Sequence, residues 1–159
     1  MFLNQTAVYG LRAMAILAGL APGESLTAAE LSRRTRVPQQ YLSKVMRKLV
    51  LARLVRGQRG HGGGFSLGRP PRDIRLLDVL TAVDQSLESG CVFGFDSCDL
   101  ANPCVLHPIW SRLKECTGHW ATESTLADIS NGPVGSPEQP VAPEPAKPAA
   151  ARAQRRRQK

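Results

Sequence analysis

The 159-residue chain is long enough for one domain with a hydrophobic core and an additional arm. The apolar run at residues 13–21 is too short to span a bilayer, and the N-terminus lacks the pattern of a secretion signal, so we expect a cytoplasmic protein with no membrane partner. The formal net charge of +8 indicates a polyanionic partner if the basic residues gather on one surface.

The first 50 residues show three helical patterns separated by turn signals. The first is expected to end at the Ala-Pro-Gly breaker of residues 21–23. Thr27 and Glu30 have the spacing of a capping box, so a short second helix should start at Ala28 and stop near residues 34–36. Pro38 then lies near the start of the third helix. The apolar face of the first helix is predicted to contain Val8, Leu11, Met14, Ala15 and Ala18.

The third helical pattern has two distinct faces. Its apolar face carries Leu42, Val45, Met46 and Leu49. Its polar face carries Gln39, Gln40, Ser43, Lys44 and Arg47. Two helices joined by a short turn, the second with amide and basic side chains near its start, are typical of the helix-turn-helix.

A glycine-rich hairpin is predicted next. Strand-like runs at residues 54–56 and 65–67 flank a loop with five glycines, which lets a backbone approach DNA closely. A nucleotide-binding loop is the competing interpretation, but no Gly-Lys-Ser/Thr ending is present and no helix follows the last glycine. The hairpin is therefore interpreted as the wing of a DNA-binding winged helix. The residues predicted to contact double-stranded DNA are Thr27, Gln39, Gln40, Tyr41, Ser43, Lys44, Arg47, Arg56, Arg59 and His61.

Four metal-ligand residue types lie within residues 91–107: Cys91, Cys98, Cys104 and His107. Thiolates and imidazole bind zinc and iron-sulfur clusters, but compact zinc sites use closer cysteine pairs than these, so the spacing favours a cluster. Inert buried thiols are the alternative, although the segment is polar. In the reducing cytoplasm a metal or redox role is expected before a disulfide. Cys116 lies in a helical pattern, where plain packing is expected.

The remaining patterns predict a scaffold, a long helix and a tail. Pro108 should open a long helix whose inward residues are Ile109, Trp110, Leu113, Cys116 or Thr117, and Trp120. Two tryptophans ten residues apart exceed what a small monomer can cover, which indicates a subunit interface and a homodimer. Before it, an apolar stripe should pack against the winged helix: Ile74, Leu76, Val79, Leu80, Val83 and Leu87.

We accordingly predict three regions: a winged helix-turn-helix domain (1–72), a cluster-binding loop with the dimerisation helix (73–130), and a tail (131–159). The tail is rich in Pro and Ala, ends in basic residues and is expected to be disordered. It would either add nonspecific DNA affinity or serve only as a solubilising tail. The predicted fold class is mainly α with a small β wing.

Several stretches resemble the Rrf2 family of bacterial transcription regulators. They are Tyr-Gly-Leu-Arg-Ala at 9–13, Tyr-Leu at 41–42, Val-Arg-Gly at 55–57 with Gly-Gly-Gly-Phe at 62–65, Ala-Val-Asp at 82–84, and the three cysteines. The resemblance covers roughly residues 1–129. It implies a dimeric winged helix whose iron-sulfur cluster state sets its affinity for DNA.

The resemblance also implies a choice of fourth cluster ligand. In the nitric-oxide-sensing (NsrR-type) branch an aspartate in the first helix of the partner subunit can complete the site, but Val8 stands at the matching place and cannot ligate iron. In the IscR-type branch a histidine three residues after the third cysteine completes a 2Fe-2S site, and His107 matches it. The resemblance therefore favours a 2Fe-2S cluster over a 4Fe-4S cluster. The gap between Cys91 and Cys98 is one residue longer than in the IscR pattern.

The predicted function is a homodimeric DNA-binding regulator controlled by an iron-sulfur cluster that senses redox state, iron-sulfur status or nitric oxide. The alternative is a zinc-bound or metal-free thiol switch on the same DNA-binding frame. An enzyme with a small-molecule substrate is not expected, because no nucleophile with its base and no cofactor fingerprint is found. A purely structural interaction module would leave the glycines of the wing unexplained.

Overall fold

The computed structural model describes residues 3–58, 60, 63–87, 91 and 103–130. Its helices are α1 (Gln5–Ala18), α2 (Ala28–Thr35), α3 (Gln39–Leu51), α4 (Leu76–Ala82), α5 (His107–Glu123) and α6 (Leu126–Ser130). Its strands are β1 (Val55–Gly57) and β2 (Phe65–Leu67), and a 3-10 turn, Pro71–Asp73, precedes α4. The predicted mainly helical fold with a small wing is confirmed. The division at residue 72 stays a prediction, and the tail, 131–159, lies outside the described residues.

Helix α1 forms because its first turn is capped and one of its faces is apolar. The Asn4 side chain accepts a hydrogen bond from the Ala7 amide at 2.8 Å. The helix ends three residues before the predicted breaker, where the amides of Gly19 and Leu20 bond at 3.3 Å to the carbonyls of Ile16 and Leu17 in a tighter i to i−3 turn. Its buried face is rotated from the predicted one, so that Val8 is only half-buried. The residues that α1 buries are Ala7, Gly10, Ala13, Met14, Ala15, Leu17 and Ala18.

Helices α2 and α3 are joined by a tight turn. Thr27 accepts from the Glu30 amide at 3.2 Å, which confirms the predicted start of α2. The reciprocal half of the predicted capping box is absent among the bonds of the described residues, because the Glu30 carboxylate pairs with arginines instead. Arg36 takes the left-handed conformation (φ 54°) and ends α2, and Pro38 precedes α3. The apolar face of α3 is buried as predicted: Leu42, Val45, Met46 and Leu49.

Strands β1 and β2 form an antiparallel hairpin in which Val55 pairs with Leu67 and Gly57 with Phe65. Phe65 also forms a β-bridge with Leu26, in which the two nitrogen-to-oxygen distances are 2.7 and 3.0 Å. This bridge ties the wing to the segment just before α2. Gly64 is required there, because a Cβ at this position would lie 2.6 Å from the Leu26 carbonyl oxygen.

The region after the wing joins the same hydrophobic core as α1–α3. The predicted stripe is buried throughout: Ile74, Leu76, Val79, Leu80, Val83 and Leu87. Helix α6, which the sequence reasoning missed, returns to this core through the fully buried Leu126. The Leu126 amide donates to the Ile74 carbonyl at 2.9 Å, so the chain after α5 is fixed beside the start of α4.

Helix α5 departs from the prediction of inward-packed side chains. Within one chain, Ile109 is 70% exposed, Leu113 45% and Trp120 40%. Cys116 is also exposed, whereas Trp110 and Thr117 are half-buried. The expectation of plain packing for Cys116 is therefore wrong for the single chain, and of the residues of α5 only Ala121 is buried.

Candidate DNA interface and metal-ligand residues

The polar face of α3 is exposed along its whole length. Tyr41 is 49% exposed on this face. The five side chains predicted to lie on it are also exposed: Gln39, Gln40, Ser43, Lys44 and Arg47. Helix α3 contains Lys44, Arg47 and Lys48 and no acidic residue. The helix therefore presents positive charge and amide groups to solvent, a combination that suits the phosphates and base edges of a nucleic acid.

Ser43 differs from its neighbours on this face, because its hydroxyl already donates to the Gln39 carbonyl at 2.8 Å. That bond leaves the Ser43 oxygen as an acceptor. Ser43 is thus less available as a hydrogen-bond donor to a base than the glutamines and Lys44.

A groove of about 550 Å³ separates α3 from the wing. Thr27 at the start of α2, Ser43 and Arg47 on α3, and Gln58 on the wing line it. Thr27 uses its oxygen as an acceptor within the helix cap, so its hydroxyl proton remains available. An arginine beside a helix N-terminus and glycine backbone favours a bound anion. Sequence reasoning missed Gln58, although its place between the predicted strand and the glycines could have indicated it.

Glu30 organises the charge on α2. Its carboxylate accepts from Arg33 at 2.6 Å and from Arg34 at 2.8 Å. The hydrogen bond from Arg33, followed by that from Arg34, lowers the pKa of Glu30 from its ordinary value of 4.5 to about 2. One carboxylate balances only one of these two guanidinium charges, so α2 retains a net charge of +1 beside the three cations of α3.

The wing carries one predicted contact residue that the structure describes. Arg56 is exposed on β1. Arg59 and His61 lie outside the described residues. Gly60 has φ 102°, a conformation that favours glycine, and its carbonyl accepts from the Gly63 amide at 2.9 Å.

The predicted metal ligands fall at the two ends of the segment before α5. Cys91 and Cys104 are half-buried, and Cys98 lies outside the described residues. The His107 amide donates to the Cys104 carbonyl at 3.0 Å, so these two residues share one turn at the start of α5, as predicted. The Nδ1 atom of His107 is buried and has no hydrogen-bond partner in the described part of the chain. No three potential ligands among the described residues lie close enough to hold an ion.

Two polar contacts that join distant parts of the chain were not predicted. Lys48 on α3 donates to the Asp84 carboxylate at 2.5 Å, across 36 residues of sequence. The Gln85 side chain accepts from the Asn4 amide at 2.9 Å. No local pattern marks such pairs, although Asp84 belongs to one of the stretches on which the family resemblance rests.

Comparison with known proteins assigns the chain to a family. Residues 3–132 match the Rrf2 family, which is described as iron-dependent transcriptional regulators. A Mycobacterium tuberculosis protein named as a candidate HTH-type transcriptional regulator is 33% identical over 133 residues, which cover 83% of each chain. The HTH-type transcriptional regulator IscR of Yersinia pseudotuberculosis is 30% identical over 131 residues, or 82% of this chain and 80% of that protein. The solved structure of T. potens IscR is 28% identical, has a TM-score of 0.63, and aligns over 80% of this chain and 84% of its own.

These matches agree with the architecture described above. The helix-turn-helix, the wing and the basic face of α3 all lie inside the matched residues. Across the part of the chain that the structure describes, none of the helices is long and apolar enough to cross a membrane. The match over most of the chain shows that this protein is a DNA-binding transcriptional regulator, not an enzyme, and that it belongs to the Rrf2 family.

Proposed function

We propose that an iron-sulfur cluster held by Cys91, Cys98, Cys104 and His107 sets the affinity of this regulator for DNA. The observation that carries the proposal is the buried, unpartnered Nδ1 atom of His107 on one turn with Cys104. A buried nitrogen without a partner costs about 1–3 kcal/mol, and a metal ligated there would remove that cost. The imidazole is thus available as a ligand beside a half-buried thiol.

The chemistry of the donor set supports a cluster more than a lone ion. Three thiols and one imidazole suit iron-sulfur chemistry, and the description of the family as iron-dependent points the same way. We infer a 2Fe-2S cluster, because His107 occupies the place of the fourth ligand in the IscR-type pattern. Such a group would supply a redox-sensitive and labile element. This chain would supply the ligands and the turn that joins two of them.

We further propose which side chains contact DNA. The amide and basic groups of α3 would enter the major groove: Gln39, Gln40, Tyr41, Ser43, Lys44 and Arg47. Arg47 and Thr27 line the groove beside the wing and would contact a phosphate there. From the wing, Arg56, Arg59 and His61 would anchor the duplex.

The exposed apolar face of α5 supports a homodimer. Ile109, Leu113, Cys116 and Trp120 follow a four-three-four spacing, which places them on one side of the helix. Their exposure in the single chain leaves an apolar stripe that a second copy would cover. We expect Leu113→Glu to shift the protein toward monomer in sedimentation velocity. Glu115→Arg, which changes an exposed residue that is not three, four or seven positions from any residue of the stripe, should leave the dimer intact, and a monomeric wild type would contradict the proposal.

The cluster is tested by anoxic purification, an absorption spectrum, and iron, sulfide and zinc analysis of the same sample. Nearly equal iron and sulfide with a red-brown spectrum would support the proposal. His107→Ala should then lose the cluster faster than wild type on exposure to a chelator. The control is His119→Ala, which removes an exposed imidazole from the same helix. Zinc, or no metal in a dimer that still binds DNA, would instead support a thiol switch.

A further inference from the structure

The turn that follows α4 has an unusual backbone conformation. Asp84 lies in the left-handed region with φ 60°, where aspartate and asparagine are tolerated better than most residues. The Gln85 amide donates to the Leu80 carbonyl at 2.9 Å, which ends α4. The chain therefore leaves α4 in a direction fixed by these two residues.

Both residues of this turn reach other helices. Asp84 accepts from Lys48 on α3, with Nζ and Oδ2 2.5 Å apart. Gln85 accepts at 2.9 Å from the amide of Asn4, the residue that caps α1. The turn is thus bonded to the C-terminal half of the DNA-contacting helix and to the start of α1.

The same turn lies close in sequence to the first cysteine. Leu87 is buried in the core, and Cys91 lies four positions later in the sequence. On α3, Lys48 follows Arg47 and is one helical turn beyond Lys44. One short segment therefore lies between a proposed cluster ligand and the proposed DNA-contacting face.

We propose that Asp84 is a positioning residue that transmits the state of the cysteine segment to α3 through its ion pair with Lys48. The inference rests on the proposed function. Ligation of Cys91, seven positions after Asp84 in the chain, would favour the conformation of the turn in which Asp84 holds Lys48. Loss of this ligation would weaken that preference, so Lys48 and the adjacent turn of α3 would be held differently toward DNA.

The exposure of the pair fits this role. The Lys48 side chain is 40% exposed and that of Asp84 79% exposed. An exposed ion pair contributes little to folding, so it can form and break without unfolding the protein. Because the pair contributes so little free energy, its loss can change the dissociation constant for DNA by only a factor of about two to five.

The experiment compares DNA affinity in two states of the same protein. A labelled duplex selected by the wild-type protein from a random pool is titrated with protein reconstituted under anoxic conditions with ferrous iron and sulfide. The titration is repeated after removal of the cluster with a chelator. The quantity of interest is the ratio of the two dissociation constants, the larger divided by the smaller, which measures how strongly the cluster changes the affinity for DNA. A ratio cancels any uniform gain in affinity that results from removing a negative charge.

Asp84→Asn removes the charge and keeps a residue that tolerates the left-handed conformation. We expect it to reduce the ratio about two- to fivefold. The matched control is Asp73→Asn, which removes the carboxylate of another exposed pair, 3.9 Å from Arg72 Nε, and should leave the ratio unchanged. The double variant Lys48→Gln with Asp84→Asn should reduce the ratio no further than Asp84→Asn alone.

The other outcomes are distinct. A wild-type ratio that Asp84→Asn leaves unchanged overturns the role of Asp84 and leaves the cluster-controlled function standing. Equal affinities of the wild-type protein with and without its cluster overturn both proposals. Reduced thermal stability of Asp84→Asn with an unchanged ratio shows that Asp84 only caps α4.

Discussion

Replacing Gly64 with alanine should strain or open the bridge that ties the wing to the body of the protein. A Cβ at residue 64 would lie 2.6 Å from the carbonyl oxygen of Leu26 and 2.8 Å from its carbon, and both atoms belong to backbone that cannot rotate away. Either the added methyl group is accommodated under strain or the bridge between Leu26 and Phe65 opens. Both routes change the position of β2 relative to α2.

The two routes have similar costs. Overpacking of a well-packed site costs about 1–3 kcal/mol. Opening the bridge removes two backbone hydrogen bonds, of 2.7 and 3.0 Å, at about 0.5–1.5 kcal/mol each. We therefore expect Gly64→Ala to lower the free energy of unfolding by about 1–3 kcal/mol. Its affinity for DNA should also fall, because the wing no longer lies at a fixed distance from α3.

Gly57→Ala is the matched control on the opposite strand of the hairpin. Its Cβ would lie 3.5 Å from the nearest atom, on the Phe65 ring, which is ordinary van der Waals contact. Urea unfolding would give the stability of both variants, and a fluorescence titration would give their DNA affinity. If Gly64→Ala matched Gly57→Ala to within about 0.5 kcal/mol, the close approach to Leu26 would not constrain the wing.

Arg47→Ala should weaken binding to all DNA sequences and reduce the slope of log affinity against log salt concentration by about one, as measured by titrations at several salt concentrations. Ser43→Ala should change the affinity less, because the Ser43 hydroxyl already donates within α3. Glu30 has its pKa lowered from 4.5 to about 2, chiefly by Arg33, so its ionised form stabilises the fold above pH 4.5 and that contribution disappears as the pH falls toward 2. The stability difference between wild type and Glu30→Gln, measured by urea unfolding at several pH values, should narrow across that window; a difference that widened would contradict the assignment. Leu126→Ala should cost about 2–5 kcal/mol because Leu126 is fully buried, whereas Leu51→Ala, at an exposed position, should change stability by less than about 0.5 kcal/mol in the same assay.

The helix-turn-helix was predictable because its signals are local. Thr27, Pro38 and the 3.6-residue period of α3 act within a few residues of the positions that they determine. The shared turn of Cys104 and His107 followed from sequence spacing in the same way. Local chemistry thus determined where α2 and α3 start and which face of α3 is buried.

The contacts that hold these elements together were not predictable in this way. The Leu26–Phe65 bridge and the Lys48–Asp84 pair join residues 39 and 36 positions apart, and no periodic pattern encodes such pairing. The role of Gly64 in the close approach to Leu26 was not predicted either, because the sequence suggested only that the glycines of the loop let the backbone approach DNA. Helix α6 was missed although its start carries a local signal. Thr125 and Asp128 have the spacing of a capping box, and the Asp128 carboxylate accepts from the Thr125 amide at 2.7 Å.

The uneven burial of α5 has a consequence for its local unfolding in solution. Of its 17 residues only Ala121, near the C-terminal end, is buried, and the following chain is fixed to the core through Leu126. Backbone amides near His107 should therefore exchange with solvent deuterium at lower free-energy cost than those near Ala121. Any ligand or second copy that binds the folded N-terminal turns of α5 would slow this exchange by mass action. The exchange rate of these amides would then report how much of that ligand or second copy is bound.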